Sequence, residues 1–240
     1  MSDEGTREGS TLSALLRANR IIIVSGTGTG VGKTIVTAAL AALAAAAGQR
    51  VAVVKPAQTG IDTGEETDLE TVRRLSGVTD LHELARFPDP LSPEAAARTA
   101  GLPPLDLAAA ARYIGDLTAT RQRVLVEGAG GLLVRYDPAG RTIADLAGLL
   151  GAPVLVVTAA GLGTLNHTAL TLEALAARGL ACAGVVVGSW PEQPDLAERS
   201  NLVDLPLLAG IAGVVGRLPE GAGRLNREEF LAMAQSNLSF

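Results

Sequence analysis

One cysteine, two histidines and two lysines stand in a chain of 240 residues, and each scarcity removes a class of function. A lone Cys182 permits neither a disulfide framework nor a thiolate metal cluster. Set in the apolar run "ACAGVVVG", it reads as a buried structural thiol of a cytoplasmic protein. His82 and His167 lack metal-ligand spacing and have no cysteine or acidic motif beside them, so ordinary hydrogen-bonding roles are expected. Basic charge is also short: a formal net charge of -5 and a pI near 5.1 disfavour nucleic acid or an anionic membrane surface as the main partner. A small-molecule ligand fits better. No internal repeat or Gly/Ser linker divides the chain. The opening "MSDEGTREGSTLSALLRANR" has neither signal- nor transit-peptide features and reads as a loose arm over residues 1–20, ahead of a single domain over 21–240.

Charge is missing altogether from Leu146 to Leu172, which raises the question of a membrane span. The segment holds Pro153, four glycines, four threonines, Asn166 and His167, and therefore reads as turn, buried strand, turn and helix start. Elsewhere, strand-like runs alternate with helical patterns. "RIIIVS" precedes a helix over 32–47, "RVAVVK" one over about 68–76, and Ser92-Pro93-Glu94 and Asp106 each open another. "RVLVEG" and a helix over 142–150 follow, then "PVLVVTA", a helix over about 165–178, "ACAGVVVG", a short helix near 195–201, and "LPLLAGIAG" as a last strand. Strands apolar at successive positions are covered on both faces. The fold class expected is α/β, a three-layer α/β/α sandwich around a mainly parallel sheet.

What the chain does have is "IIIVSGTGTGVGKT". A β-branched strand enters a turn with four glycines, and Gly32-Lys33-Thr34 opens an alanine-rich helix. Glycines let backbone amides turn toward an anion, the helix N-terminus adds its dipole, and the lysine reaches the outer phosphates. The first glycine is offset, with five residues between Gly26 and Gly32 where the usual signature has about four. Eighteen arginines against two lysines imply that lysine is kept where a compact ammonium matters. Lys33 has that role already. Lys55, at the end of "RVAVV", is either a second ammonium at the ligand edge of the sheet, beside the first strand's loop, or a strand-end surface lysine. Phosphates are usually handled with magnesium, held by few protein oxygens. Thr34 offers a hydroxyl, and Glu127 leaves its strand just before "GAGG". Asp68 is equally a helix cap or a ligand.

"GTGTGVGKT", "KPAQTG", "VEGAGGLLV" and "GTLNHT", in that order over residues 21 to about 220, resemble the dethiobiotin synthetase family. The family is similar to other phosphate-loop NTP hydrolase folds of the partition-ATPase superfamily, and its long first loop accounts for the offset glycine. The resemblance implies closure of a cyclic urea from 7,8-diaminononanoate and CO2, with ATP or another nucleoside triphosphate and Mg2+. It assigns the nucleotide to Gly28, Thr29, Gly30, Val31, Gly32, Lys33 and Thr34, with Thr29 at the reacting groups. Lys33 and Lys55 would stabilise developing charge, Thr34, Asp68 and Glu127 would hold magnesium, and Thr59 and Ser92 would line the diamine site. Gly163, Thr164, Leu165 and Asn166 would offer backbone donors to the substrate carboxylate across the interface of a homodimer. Better-known members read adenine with an asparagine where this chain has Gly188-Ser189-Trp190. The base would then rest loosely, or on backbone groups near Leu218, Pro219 and Glu220. Trp190 is left to packing.

Two rivals share the fold. A partition-type switch ATPase places a second lysine early in the loop, where Gly28 stands, and its membrane-bound kind ends in a basic amphipathic helix unlike "NREEFLAMAQSNLSF". An ATP-dependent amide ligase of the cobyrinate diamide synthase type calls for a nucleophilic cysteine motif that this sequence does not contain.

Overall fold

The computed structural model describes residues 18–60, 64, 66–208 and 213–238; the expected arm lies outside these residues up to position 17. Strand and helix alternate as β1 (Ile21–Gly26), α1 (Lys33–Ala46), β2 (Val51–Lys55), β3 (Gln58–Thr59), α2 (Asp68–Ser76), β4 (Leu81–Glu83) and β5 (Arg86–Phe87). There follow α3 (Pro93–Thr99), α4 (Leu107–Leu117), β6 (Arg123–Gly131), α5 (Ile143–Leu150), β7 (Val154–Thr158), α6 (Thr164–Ala176), β8 (Cys182–Trp190), α7 (Leu196–Asp204), β9 (Val214–Pro219) and α8 (Arg227–Asn237). Among the described residues seven strands form one sheet in the order β4-β2-β6-β1-β7-β8-β9, and every neighbouring pair is parallel. β3 and β5 pair separately.

The continuous apolar runs are strands because both faces of the sheet are covered. Ile22, Val24, Val53, Leu125, Leu155 and Val157 pack toward α1, α2 and α8. Their alternates Ile23, Ala52, Val54, Val124, Val126, Val154 and Val156 pack toward α3, α4, α5 and α6. Each fully buried Val, Leu or Ile contributes roughly 1.5–3 kcal/mol, so the two layers together outweigh weak local preferences. The alanine tract has its use in α1, where Ala38, Ala39, Ala41 and Ala42 are buried and small enough to bring the helix close to the sheet. The uncharged stretch from Leu146 resolves into the end of α5, β7 and most of α6, and no described helix is long and apolar enough to cross a membrane.

Three expectations need correction. "LPLLAGIAG" is not the last strand: Leu205–Leu207 is a 3-10 turn, and β9 begins at Val214, with residues 209–212 outside the described set. Pro206 fixes its own backbone and has no N–H for a ladder, which suits a turn. Cys182 is half-buried rather than buried, with its thiol on the Gly184 carbonyl at 3.5 Å. Burial raises the thiol pKa, as expected of an inert structural sulfur. Finally, β6 lies between β2 and β1, so Lys55 is one strand removed from the phosphate loop.

Candidate functional site

β1 ends at Gly26, and the chain turns through residues 27–32 into α1 at the carboxyl edge of the sheet. Gly32 is the N-cap of α1 with φ 94°, and no side chain caps the helix, so its first amides are available to an anion. A Cβ on Gly32 would stand 2.6 Å from the Gly188 carbonyl oxygen, and one on Gly188 would stand 2.1 Å from that of Val31. The loop is therefore braced directly on the backbone of β8, and Gly188 is required there for packing. Lys33 Nζ donates to the Gly28 carbonyl at 2.8 Å, closing the loop on itself.

The second centre forms where β2, α2 and β6 converge. Lys55 is 3% exposed and Glu127 0%; Lys55 Nζ lies 2.8 Å from Glu127 Oε1 and 2.5 Å from Asp68 Oδ2. It also donates to the Gly128 carbonyl at 3.3 Å. Thr34 Oγ1 reaches Asp68 Oδ1 at 3.0 Å and Glu127 Oε1 at 2.9 Å, but it owns a single proton. Glu127 Oε2 is buried with no hydrogen-bond partner in the described structure. Donors thus fall short of acceptors. An acceptor surplus of hard oxygens, two carboxylates and one hydroxyl, suits a divalent cation of the magnesium kind, which takes few protein ligands. The helix-cap reading of Asp68 is resolved: Thr67 caps α2 in a capping box with Glu70, leaving the Asp68 side chain to the site.

Charge states follow from this geometry. Burial by itself would discharge Lys55, but the Glu127 and Asp68 carboxylates together hold its pKa above the ordinary lysine value. Burial opposes ionisation of Asp68 as well, and the Lys55 ammonium overrides it, leaving that carboxyl below its usual range. For Glu127 burial wins over Lys55 and pushes the carboxyl up. Lys33 is lowered, first by burial and then by the Lys55 charge.

A cleft of about 820 Å³ opens over both centres. Thr29, Gly30, Lys33, Thr34, Lys55 and Asp68 line it with Glu127, Thr59 and Ser92, so the predicted catalytic, magnesium and diamine residues come together. Thr59 arrives there on β3, whose pairing with β5 had no sequence signal in so short a run. Ser92 is the N-cap of α3 but makes no capping bond with its side chain, leaving the hydroxyl to the cleft.

Gly28 and Val31 of the loop are not among the residues that line this cleft, and neither are two further predicted groups. Gly188, Ser189, Leu218, Pro219 and Glu220 lie at the carboxyl ends of β8 and β9, where the Glu220 amide donates to the Trp190 carbonyl at 2.7 Å. Trp190 packs as expected and carries Arg217 5.1 Å from its ring centroid, a cation–π contact. Gly163, Thr164, Leu165 and Asn166 form the start of α6, with Gly163 as an uncapped N-cap and Asn166 exposed.

Several supporting residues escaped the sequence reading. Thr158 Oγ1 meets Thr164 Oγ1 at 2.6 Å, Thr168 Oγ1 at 2.8 Å and Thr27 Oγ1 at 3.4 Å, linking the phosphate loop to α6. Asn201 Nδ2 donates to the carbonyls of Ala160 and Gly161 at 2.8 and 2.9 Å. Tyr136 Oη accepts from the Ala129 amide at 2.6 Å, behind Glu127. The Thr27–Thr158 and Asn201 contacts join segments far apart in the chain, the others cross a single loop, and no spacing rule exposes either kind. His82 takes the ordinary role foreseen, between Asp80 at 3.0 Å and Tyr113 at 2.7 Å.

Comparison with known proteins adds a family. A family described as an AAA domain matches residues 20–223. The ATP-dependent dethiobiotin synthetase BioD of Parafrankia sp. (strain EAN1pec) is 64% identical over 218 residues, covering 91% of this chain and 91% of that protein. That of Rhodococcus jostii (strain RHA1) is 58% identical over 216 residues, covering 90% and 93%. That of Mycobacterium avium (strain 104) is 55% identical over 214 residues, covering 89% and 93%. Among solved structures, the cell division ATPase MinD of Pyrococcus furiosus superposes with a TM-score of 0.54 at 20% identity, covering 90% of this chain and 89% of that one. Apo McdA superposes at 0.54 with 13% identity, covering 90% and 96%. At such identities the likeness concerns the phosphate-loop α/β fold alone.

Proposed function

The chain belongs to the dethiobiotin synthetase family, and from that membership we propose how its residues perform the family's reaction. It is an ATP-dependent ligase of biotin biosynthesis that closes the cyclic urea of dethiobiotin from 7,8-diaminononanoate and CO2. Curated relatives at 54–64% identity carry this activity, which disfavours the switch-ATPase and amide-ligase readings.

One amine of the diamine attacks CO2 and loses a proton, giving a carbamate. A carbamate oxygen then attacks the γ-phosphorus of ATP with departure of ADP, and the second amine attacks the carbamoyl carbon of the mixed anhydride and loses a proton, closing the ring and expelling phosphate. Negative charge builds on carbamate and phosphoryl oxygens in the middle step. Positioned cations and donors stabilise that charge most effectively where water is excluded. The observation that carries this reading is the Lys55 ammonium, buried yet held charged by Glu127 and Asp68 at the floor of the phosphate-loop cleft. Lys33 leaves the Gly28 carbonyl to bind the outer phosphates, and Thr29 contacts the reacting groups. Thr59 and Ser92 hold the diamine.

Thr34, Asp68 and Glu127 would hold magnesium, and the partnerless Glu127 Oε2 and shared Thr34 proton support that fit. When bound, the ion supplies charge neutralisation on the triphosphate. The base would rest on the ends of β8 and β9, among Gly188, Ser189, Leu218, Pro219 and Glu220. Gly163 to Asn166 would bind the substrate carboxylate of a neighbouring subunit in a homodimer, a reading supported by their place outside the cleft and by Leu162, 91% exposed beside them. A single cysteine suits work in the cytoplasm. Incubation with the diamine, bicarbonate, magnesium and ATP should yield the cyclic urea by mass spectrometry; a folded protein that forms none overturns the reading.

A further inference from the structure

Tyr136 lies behind the site, 0% exposed, and does not line the cleft. Its hydroxyl oxygen accepts from the Ala129 amide at 2.6 Å. That amide belongs to the peptide group joining Gly128 to Ala129, whose other end, the Gly128 carbonyl, accepts from Lys55 Nζ at 3.3 Å. One rigid peptide plane therefore connects the phenol to the ammonium. The Gly128 carbonyl and the Ala129 amide turn together with that plane, so the phenol and the ammonium hold its two ends.

The tyrosine itself is held on every side. Its own amide donates to the Arg141 carbonyl at 2.8 Å, and the hairpin is closed by a bridge between Arg135 and Thr142. Asp137, 2% exposed, accepts from the Arg141 amide at 3.0 Å and from Arg141 Nε at 2.5 Å. Thr142 then caps α5 through Asp145. Burial raises the phenol pKa, so the ring remains a neutral phenol with a lone pair for the Ala129 amide.

We infer that Tyr136 is a positioning residue for catalysis: through the Gly128–Ala129 peptide it sets the third contact of Lys55, which aims the side-chain nitrogen that lies against the two carboxylates. Glu127 and Asp68 hold the ammonium by two short charged contacts, at 2.8 and 2.5 Å. The Gly128 carbonyl, one residue beyond Glu127 in β6, adds a third acceptor at 3.3 Å that restricts the remaining rotation of the ammonium. A catalytic group displaced by about 1 Å can lose on the order of 100-fold in rate, so direction matters as much as charge.

The inference rests on the Lys55 reading above, and the test separates the two. Tyr136→Phe keeps the buried ring and removes only the oxygen. It should lower kcat about 10- to 100-fold while KM for ATP and for the diamine stays within about twofold, the signature of an interaction made in the transition state. In a Lys55→Ala background the same change should move the residual kcat less than about twofold. An equal loss in both backgrounds, or no loss in the parent, overturns the inference and leaves the role of Lys55 standing. Full turnover in Lys55→Ala overturns both. Hydrogen exchange of the Ala129 amide in the unaltered protein gives a check that does not depend on the variant folding: strong protection is expected, and exchange at the rate of an exposed amide overturns the inference.

Discussion

Replacing Lys55 with alanine should produce a stability loss whose size depends on pH. The ammonium contacts Glu127 Oε1 at 2.8 Å, Asp68 Oδ2 at 2.5 Å and the Gly128 carbonyl at 3.3 Å, and without it the fully buried Glu127 keeps only the shared Thr34 proton. Removing one partner of a buried pair costs roughly 3–5 kcal/mol. Proton uptake by Glu127 sets a ceiling on that cost. From an ordinary carboxylate value near 4.3, protonation costs about 5 kcal/mol at about pH 8 but only about 2 kcal/mol at about pH 6. Glu127 is already raised by burial, and losing Lys55 raises it further, so the folded state binds the proton more tightly than the unfolded one. A carboxyl with a raised folded pKa loses stability as pH rises, and the variant's deficit must therefore grow from about pH 6 to about pH 8. For a chain of this size, 1 kcal/mol corresponds to about 2–4 °C, so melting should fall by about 6–20 °C at the higher pH and by no more than about 4–8 °C at the lower. Turnover should drop about 100- to 1000-fold, and Lys55→Arg should lose activity too because its planar fork does not replace a point charge. Differential scanning fluorimetry across this range, with product assayed in parallel, is the measurement. A deficit that is flat with pH refutes the Glu127 argument, and near-normal turnover reduces Lys55 to a structural ion pair with Glu127 and Asp68.

Gly188→Ala would put a Cβ 2.1 Å from the Val31 carbonyl oxygen and 2.6 Å from Val157 Cγ1, so overpacking of about 1–3 kcal/mol should displace the phosphate loop and weaken nucleotide binding about 10-fold. Unchanged nucleotide affinity in calorimetry would show that the loop is not braced there. With no side chain at that position to read a base edge, ATP, GTP and CTP should bind within about an order of magnitude of each other in parallel magnesium titrations, the phosphates dominating; a strong ATP preference contradicts this. An Asn166 variant mixed with a Lys33 variant should regain up to one working site per heterodimer. If subunit exchange is demonstrated and the mixture stays as inactive as its parents, the shared-site proposal is wrong.

Much of the scaffold was legible from local pattern. Continuous apolar runs marked the buried strands β1, β2, β6, β7 and β8, and Gly32-Lys33-Thr34 marked a loop joined to a helix start, because strand burial and amide exposure are properties of a few neighbouring residues. The rarity of lysine pointed to Lys33 and Lys55 for a chemical reason that needs no coordinates. Short elements were invisible: β3 and β5 are two residues each, held by each other and by the surrounding chain rather than by propensity. Whether Asp68 was a cap or a ligand could not be read from Thr67-Asp68, since either side chain can cap; the capping box of Thr67 with Glu70 decided it. Gly188 read as a missing base contact until the backbone of β8 was seen against Val31. The sequence by itself determined the layered fold and the kinds of groups brought to the sheet edge. Only the tertiary structure decided that β6 carries Glu127 between the two lysines, and that Tyr136 and the Gly128–Ala129 peptide stand behind Lys55, because contacts between segments far apart in the chain depend on strand order and register, which no local pattern encodes.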